Sequence, residues 1–243
     1  MKNKMIKTKK EIELLKKSAT ITNSCIPLIE KSLKERITEK ELARRINKNI
    51  RNHGASLSFQ TLVASGKRSF QIHPRPYSAK KIISGMGYAD FGACYKGYRT
   101  DITVPFVKGK ITKRERKIVE VTLHAYKLAV RSVKIGLPCW KLQEKVNRFL
   151  KSKGYECPHA IGHGLGKNIH ELPHIGMPRK KRLNKKKKRR WDKLKKIKFQ
   201  ENMVFTIEPA VYVKGFGGCR IENDFLISKK GIKILTNSRL IEI

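Results

Sequence analysis

Two aspartates, two glutamates and one histidine in this chain stand where their side chains could converge. Asp90 and Asp101 belong to the stretch 88–103, whose alternating character and Gly97 read as two short strands around a turn. A loop centred on Tyr95 and Lys96 sets the two carboxylates opposite each other, with Cβ atoms roughly 4.5–5.5 Å apart. A bulge at Gly97 would move that register by one. Carboxylates held so close repel unless a proton or a metal lies between them. Taken alone, the pair reads as two solvated aspartates beside a turn. A second pair changes the balance. Residues 205–222 again read as apolar strands around a Gly-rich turn, and Glu208 and Glu222 are symmetric about Gly215. Between the pairs, His163 lies between two glycines. Four carboxylates and one imidazole form an oxygen-rich donor set, suited to Mn, Fe, Co or Zn in a two-metal site.

The elements that must position these residues follow an order that occurs twice. Thr8 and Glu11 form a capping box that opens a helix through Ile12, Leu15, Ala19, Thr22 and Ile26, kinked or broken at Pro27. Thr38 and Glu41 open a second helix that stops near His53 and Gly54; a strand-like run over 57–64 and the Asp hairpin follow. Thr112 and Glu115 then open a long helix ending at Gly136. A further helix carries Trp140, Leu142, Val146, Phe149 and Leu150 and is stopped by Gly154. The His-Gly segment and the Glu hairpin come next. Helix, helix and ligand-bearing hairpin, repeated, predict a pseudo-symmetric α+β domain with the site between its halves.

The length of 243 residues fits one domain and allows a sizeable core. No apolar run approaches the ~18–20 residues of a membrane span, which argues against a membrane partner. The basic N-terminus lacks the apolar centre of a signal peptide, and five scattered cysteines form no C-x-x-C pair. Both features predict reduced thiols and a cytoplasmic protein. The net charge of +38 is the unusual quantity, since such a field attracts polyanions. Residues 179–198 hold 14 Lys or Arg and one acid, Asp192, and so supply +13, leaving +25 for the rest. A block of like charge reads as a solvated loop that could draw RNA or a ribosome, with Trp191, Leu194 and Ile197 able to form a short amphipathic turn.

Set in order, these motifs resemble the catalytic domain of the pita-bread metallopeptidases: methionine aminopeptidases, Xaa-Pro aminopeptidases, prolidases and creatinase. The resemblance runs from about Lys9 to the end of the chain, outside the basic insert. It implies a pseudo-twofold fold of antiparallel sheet flanked by helices, in one catalytic domain over 1–243 with no extra N-terminal domain. By motif, Asp90 in Asp-Phe-Gly-Ala and Asp101 in Thr-Asp-Ile-Thr match the aspartate ligands. His163 in Gly-His-Gly-Leu-Gly matches the histidine ligand, and Glu208 in Thr-Ile-Glu-Pro and Glu222 in Arg-Ile-Glu-Asn match the glutamates. The implied cofactor is a pair of divalent ions bridged by Asp101 and Glu222, with Asp90 on one and His163 and Glu208 on the other. Glu208 becomes the general base and proton shuttle, His73 and His170 the stabilisers of the oxyanion, and His159 their helper.

Within that family, Val63-Ala-Ser-Gly66 before His73-Pro74, His159 four residues before His163, and the Gly215–Glu222 segment lean toward the Xaa-Pro branch. The expectation is an aminopeptidase that removes the first residue from a peptide with a free N-terminus, preferring Xaa-Pro. A methionine aminopeptidase is next, then a prolidase, which would need something to hold a free C-terminal carboxylate, as an excess of arginines could. A non-catalytic nucleic-acid or ribosome binder comes last, because all five ligands are present. Ala210, Asn223 and the basic insert depart from the family pattern without touching a ligand. The other histidines read as structural: His53 as a helix end, His124 as surface or packing, His174 as a loop residue.

Overall fold

The computed structural model describes residues 5–177 and 185–243. Each capping box forms as its spacing predicts. The hydroxyls of Thr8, Thr38 and Thr112 accept the amides of Glu11, Glu41 and Glu115, and those carboxylates accept the threonine amides in return. They start α1 (Lys9–Asn23), α3 (Glu39–Asn52) and α4 (Lys113–Ser132). The first helix breaks at Ser24, so α2 (Cys25–Leu33) carries Pro27 in its first turn, where a missing N–H costs little. The last of the long helices, α5 (Cys139–Ser152), ends before Gly154, whose φ of 78° suits glycine.

The first half contributes β1 (Ser56–Leu57), β2 (Leu62–Ser65), β3 (Gly85–Phe91), β4 (Ala93–Tyr95), β5 (Tyr98–Arg99) and β6 (Ile102–Lys108). The second contributes β7 (His163–Gly164), β8 (Glu171–His174), β9 (Val204–Ile207), β10 (Ala210–Val213), β11 (Gly217–Arg220), β12 (Asn223–Ser228) and β13 (Gly231–Ile234). A last strand, β14 (Ile241–Glu242), returns to pair in parallel with β6. The two principal sheets have the orders β14-β6-β3-β2 and β13-β12-β9-β7-β8, and every pairing in them except β14 with β6 is antiparallel. Ile26, Ile29, Leu42 and Ile46 of α2 and α3 cover the first sheet against Ala89, Val104 and Phe106. Ile118, Val121, Leu142 and Val146 of α4 and α5 cover the second against Phe205 and Phe225. Those two phenylalanine rings stack 6.0 Å apart. Removing either by Phe→Ala would cost about 3–5 kcal/mol.

The halves join where Thr103 of β6 bridges Glu222 in antiparallel fashion, the Glu222 amide donating to the Thr103 carbonyl at 3.1 Å. The α+β architecture, with helices preceding each ligand-bearing hairpin, is therefore as the pattern predicts.

Three local expectations change. The run 57–64 is two short strands, because the chain bends at Ser58–Gln60: Arg99 Nη1 donates to the Ser58 carbonyl at 2.5 Å and the Ser58 hydroxyl donates to that of Ala93. The bend turns Phe59 and Gln60 toward the site. The Asp hairpin turns at Lys96 and Gly97, both with positive φ (49° and 81°), as a two-residue hairpin loop of the primed type requires. That centre pairs Tyr95 with Tyr98 and places Thr103, not Asp101, opposite Asp90. Finally, the second part of the basic stretch is not a solvated loop. It forms α6 (Lys185–Leu194), docked by the Trp191 ring against Trp140 of α5, with centroids 6.1 Å apart. The chain after it is stitched to the α4–α5 turn by Cys139 N–H to Ile197 O and Phe199 N–H to Leu137 O, and Ile197 packs on the second core. Residues 179–184 lie outside the described residues.

Candidate active site

The Glu hairpin has the register that symmetry about Gly215 implies. Ala210 pairs with Arg220, and Ile207 with Asn223. Glu208 and Glu222 therefore face one another in the gap between two ladders, with the Glu208 amide held by Ile161 O. Asp90 comes from β3 and Asp101 from the short break between β5 and β6. Glycine at position 92 is needed beside it, since a Cβ there would lie 1.9 Å from Thr100 O. His163 opens β7, its amide donating to the Thr206 hydroxyl at 3.2 Å. Asp101, His163 and Glu222 each present a donor atom within 4.8 Å of the others. Nε2 of His163 is 3.6 Å from both Asp101 Oδ2 and Glu208 Oε1.

These residues, with His73, His159 and His170, line one cavity of about 900 Å³. The His170 ring lies 4.2 Å from that of His163, and His73 stands edge-on to Tyr77 at 6.4 Å. His159 Nδ1 is 2.7 Å from Ala160 O and 3.7 Å from Glu208 Oε2, and its Nε2 is 3.3 Å from the Tyr212 hydroxyl.

The carboxylates are crowded and largely buried. Burial, then the neighbouring charges of Glu222, Asp90 and Glu208, push Asp101 well above the usual carboxylate range. Burial and Glu222 do the same to Glu208, and burial and Asp90 raise Glu222 to about 7. Burial also raises Asp90, against the opposing pull of Arg220. For the histidines burial acts in the other sense and keeps the rings neutral, pushing His163 to about 3, with His170 adding to the effect, and His159 to about 4. Nδ1 of His163 faces Gly164 O at 3.1 Å, so a proton there leaves the Nε2 lone pair aimed between Asp101 and Glu208.

Sequence reasoning missed the groups that hold the candidate ligands. Arg220 Nη2 donates to Asp90 Oδ2 at 2.5 Å, its Nη1 to the Tyr212 hydroxyl at 2.6 Å, and its Nε to the Thr103 hydroxyl at 3.0 Å. That hydroxyl in turn donates to Glu222 Oε2 at 2.8 Å. One oxygen of Asp90 and one of Glu222 are thus tied, while Asp90 Oδ1 and Glu222 Oε1 are buried with no partner among the described residues. Asp224 accepts the Asp101 amide at 3.2 Å. Arg220 and Asp224 stand two residues either side of Glu222, and the two-residue period of a strand was the signal that could have found them. Arg190, which also lines the cavity, carried no signal inside a run of identical charge.

Orphaned buried oxygens, crowded carboxylates and a neutral imidazole fit divalent cations. Comparison with known proteins agrees. Residues 13–229 match the pattern of metallopeptidase family M24. The chain belongs to that family.

Among its M24 relatives, the Xaa-Pro dipeptidase of Pyrococcus furiosus is 34% identical over 239 residues, which are 97% of this chain and 64% of that protein. The structure of an Xaa-Pro dipeptidase from Bacillus anthracis superposes with a TM-score of 0.86 at 30% identity, over 98% of this chain and 64% of that one. That of an X-Pro aminopeptidase from Thermotoga maritima gives 0.84 at 29%, over 98% and 65%. The chain thus spans less than two thirds of the length of these relatives, and its fold is the pita-bread fold they share.

The remaining histidines are where structural roles put them. His53 caps α3, with Nδ1 2.8 Å from Asn49 O, and His124 is exposed. His174 is no loop residue: it pairs with His163 between β8 and β7 and lines the cavity. The five cysteines are free, and all but Cys157 are buried.

Proposed function

We propose that this chain is a dinuclear metallopeptidase that cleaves the bond preceding proline in short Xaa-Pro substrates, dipeptides included. The observation that carries the reading is the convergence of Asp101, His163 and Glu222 within 4.8 Å, with orphaned oxygens on Glu222 and Asp90. Asp90, Asp101, His163, Glu208 and Glu222 would hold the ions, and the oxygen-rich set suits Mn, Co, Fe or Zn. Bound divalent ions supply Lewis acidity to a peptide carbonyl and to a water nucleophile.

The chain's own residues do the rest. Arg220 and Thr103 orient Asp90 and Glu222 by occupying one oxygen of each. Glu208 accepts the proton of the attacking water and delivers it to the leaving nitrogen. His170 and His73, on the cavity wall, donate to the oxygen on which charge develops, and His159 orients Glu208. Phe59, Leu62, Ile72 and Leu172 offer the apolar wall a proline ring needs.

The names of the relatives support cleavage at Xaa-Pro, and more of them are dipeptidases than aminopeptidases. This shifts the reading from trimming of long peptides toward dipeptides. Both halves build one site, which supports treating the chain as a single catalytic unit. Five free thiols and the absence, among the described residues, of any helix long and apolar enough to cross a membrane support a cytoplasmic place of action. The test is kcat/KM of the Mn- or Co-loaded protein on Ala-Pro, Ala-Pro-Ala and Met-Ala. A preference for Met-Ala would move the chain to the methionine branch. A polyanion-binding role is supported by the net charge of +38 and by exposed Lys188, Arg189 and Lys193 on α6. Its test is RNA binding across a salt series, where log K should fall by roughly 0.7–0.9 per phosphate contact per decade of salt.

A further inference from the structure

Despite the charge of +38, acids outnumber bases among the described charged residues that line the cavity. Asp90, Asp101, Glu208 and Glu222 form its floor, and among the described residues no lysine lines it. Two arginines do. Arg220 is buried and spends its guanidinium on Asp90, Tyr212 and Thr103. Arg190 is exposed at the mouth and makes no hydrogen bond or ion pair with any described residue. It is carried there by α6, fixed through Trp191 on Trp140. Its charge also reaches His174, where it adds to burial in keeping that ring neutral.

Among the described residues the cavity therefore has an anionic floor and one uncommitted cation, Arg190, at its rim, with apolar side chains such as Leu62 and Leu172 on its wall. A zwitterion fits that polarity: its ammonium end toward the carboxylates, its carboxylate toward the guanidinium. Arginine suits such a task, since its planar fork matches a carboxylate through two hydrogen bonds. Resting on the reading of the site as an Xaa-Pro peptidase, we infer that Arg190 of the basic insert receives the terminal carboxylate of a dipeptide substrate. The insert is then part of the specificity machinery, and dipeptides are favoured over peptides whose C-terminal end is blocked or further away.

The test uses the Mn-loaded full chain and two uncleavable probes, the reduced-amide analogue of Ala-Pro as free acid and as C-terminal amide. Titration calorimetry gives Kd for each. Wild-type protein should favour the acid by roughly 10–100-fold, the range of a charge-assisted hydrogen bond. Arg190→Ala should erase that preference, Arg190→Lys should keep part of it, and Arg189→Ala should leave it intact. Tryptophan fluorescence from the Trp140–Trp191 pair checks that α6 stays docked in each variant. A preference that survives in Arg190→Ala, or that wild type lacks, overturns the inference. So does an effect of Arg190→Ala confined to Ala-Pro-Asp-amide, which would assign the arginine to an acidic third residue. Hydrolysis of Ala-Pro is scored separately: its absence in the metal-loaded wild type would count against the peptidase reading, while the binding result still decides the role of Arg190.

Discussion

Arg220 and Asp90 meet in a buried ion pair, Nη2 to Oδ2 at 2.5 Å, reached across two strands that belong to different halves of the fold. The pair leaves Asp90 Oδ1 buried and without a partner among the described residues. Because the same guanidinium holds Tyr212 and, through Thr103, Glu222, a single side chain sets the direction of two proposed ligands and one hydroxyl. Replacing it with alanine would leave Asp90 buried and unpaired, a loss of about 3–5 kcal/mol in stability. Arg220→Lys retains the charge but not the fork, so stability should recover in part while metal affinity stays down by about 10–100-fold. Thermal unfolding and metal titration by calorimetry separate the two effects; a lysine variant with wild-type metal affinity would refute the orienting role.

Glu222 provides a different kind of test. Without bound ions, burial and then mutual repulsion disfavour the charged carboxylates, and both push Asp101, Glu208 and Glu222 upward. Glu222→Gln removes one charge at nearly constant shape. In excess chelator the variant should melt at or above the wild-type temperature, whereas added Mn or Co should raise the wild-type Tm by several degrees and the variant's far less. Equal metal-induced shifts in both proteins would remove Glu222 from the ligand set.

Much of this candidate site is legible in the sequence, and the reasons are local. Capping boxes at Thr8, Thr38 and Thr112 are contiguous signals, and each starts its helix as predicted. The Glu hairpin was readable because Gly215 marks its centre and the ladders on either side of the Glu208–Glu222 gap keep one register. The Asp hairpin misled because a two-residue loop needs positive φ at both positions, and lysine gives no hint that it will take one of them. Asp90 consequently faces Thr103, and Arg220 donates to both. Arg220 could be reached only through its two-residue offset from Glu222, while Thr103 and Arg190 meet the site across distances in sequence that only packing defines, so no spacing rule announces them.

His170 tests the chemistry rather than the binding. It lines the cavity beside His163, with ring centroids 4.2 Å apart, and burial keeps it uncharged more readily than a free histidine. If it donates to the developing oxyanion, His170→Ala should lower kcat and kcat/KM together by about 10²–10³-fold while KM barely moves. The bound-metal content should match wild type. A rise in KM alone would make it a substrate-binding group.

Trp191 decides whether the basic insert belongs to the wall of the site or merely hangs beside it. Within the described residues, α6 is a highly basic helix that like-charge repulsion alone would unwind. The aromatic contact with Trp140 and the backbone bonds at 197–199 are what hold it down. An edge-on aromatic pair contributes about 0.5–1.5 kcal/mol beyond its buried area, enough to matter for one short helix and little for the whole protein. Trp191→Ala should therefore leave Tm within a few degrees of wild type and leave cleavage of Ala-Pro-amide almost unchanged. The preference for the free acid should fall nonetheless, because Arg190 is no longer held at the cavity mouth. Protease nicking within 185–196, absent from wild type and prominent in the variant, would report the release directly. If the acid preference survives while the helix is cut loose, Arg190 does not depend on this docking, and the anchoring role given to Trp191 is wrong.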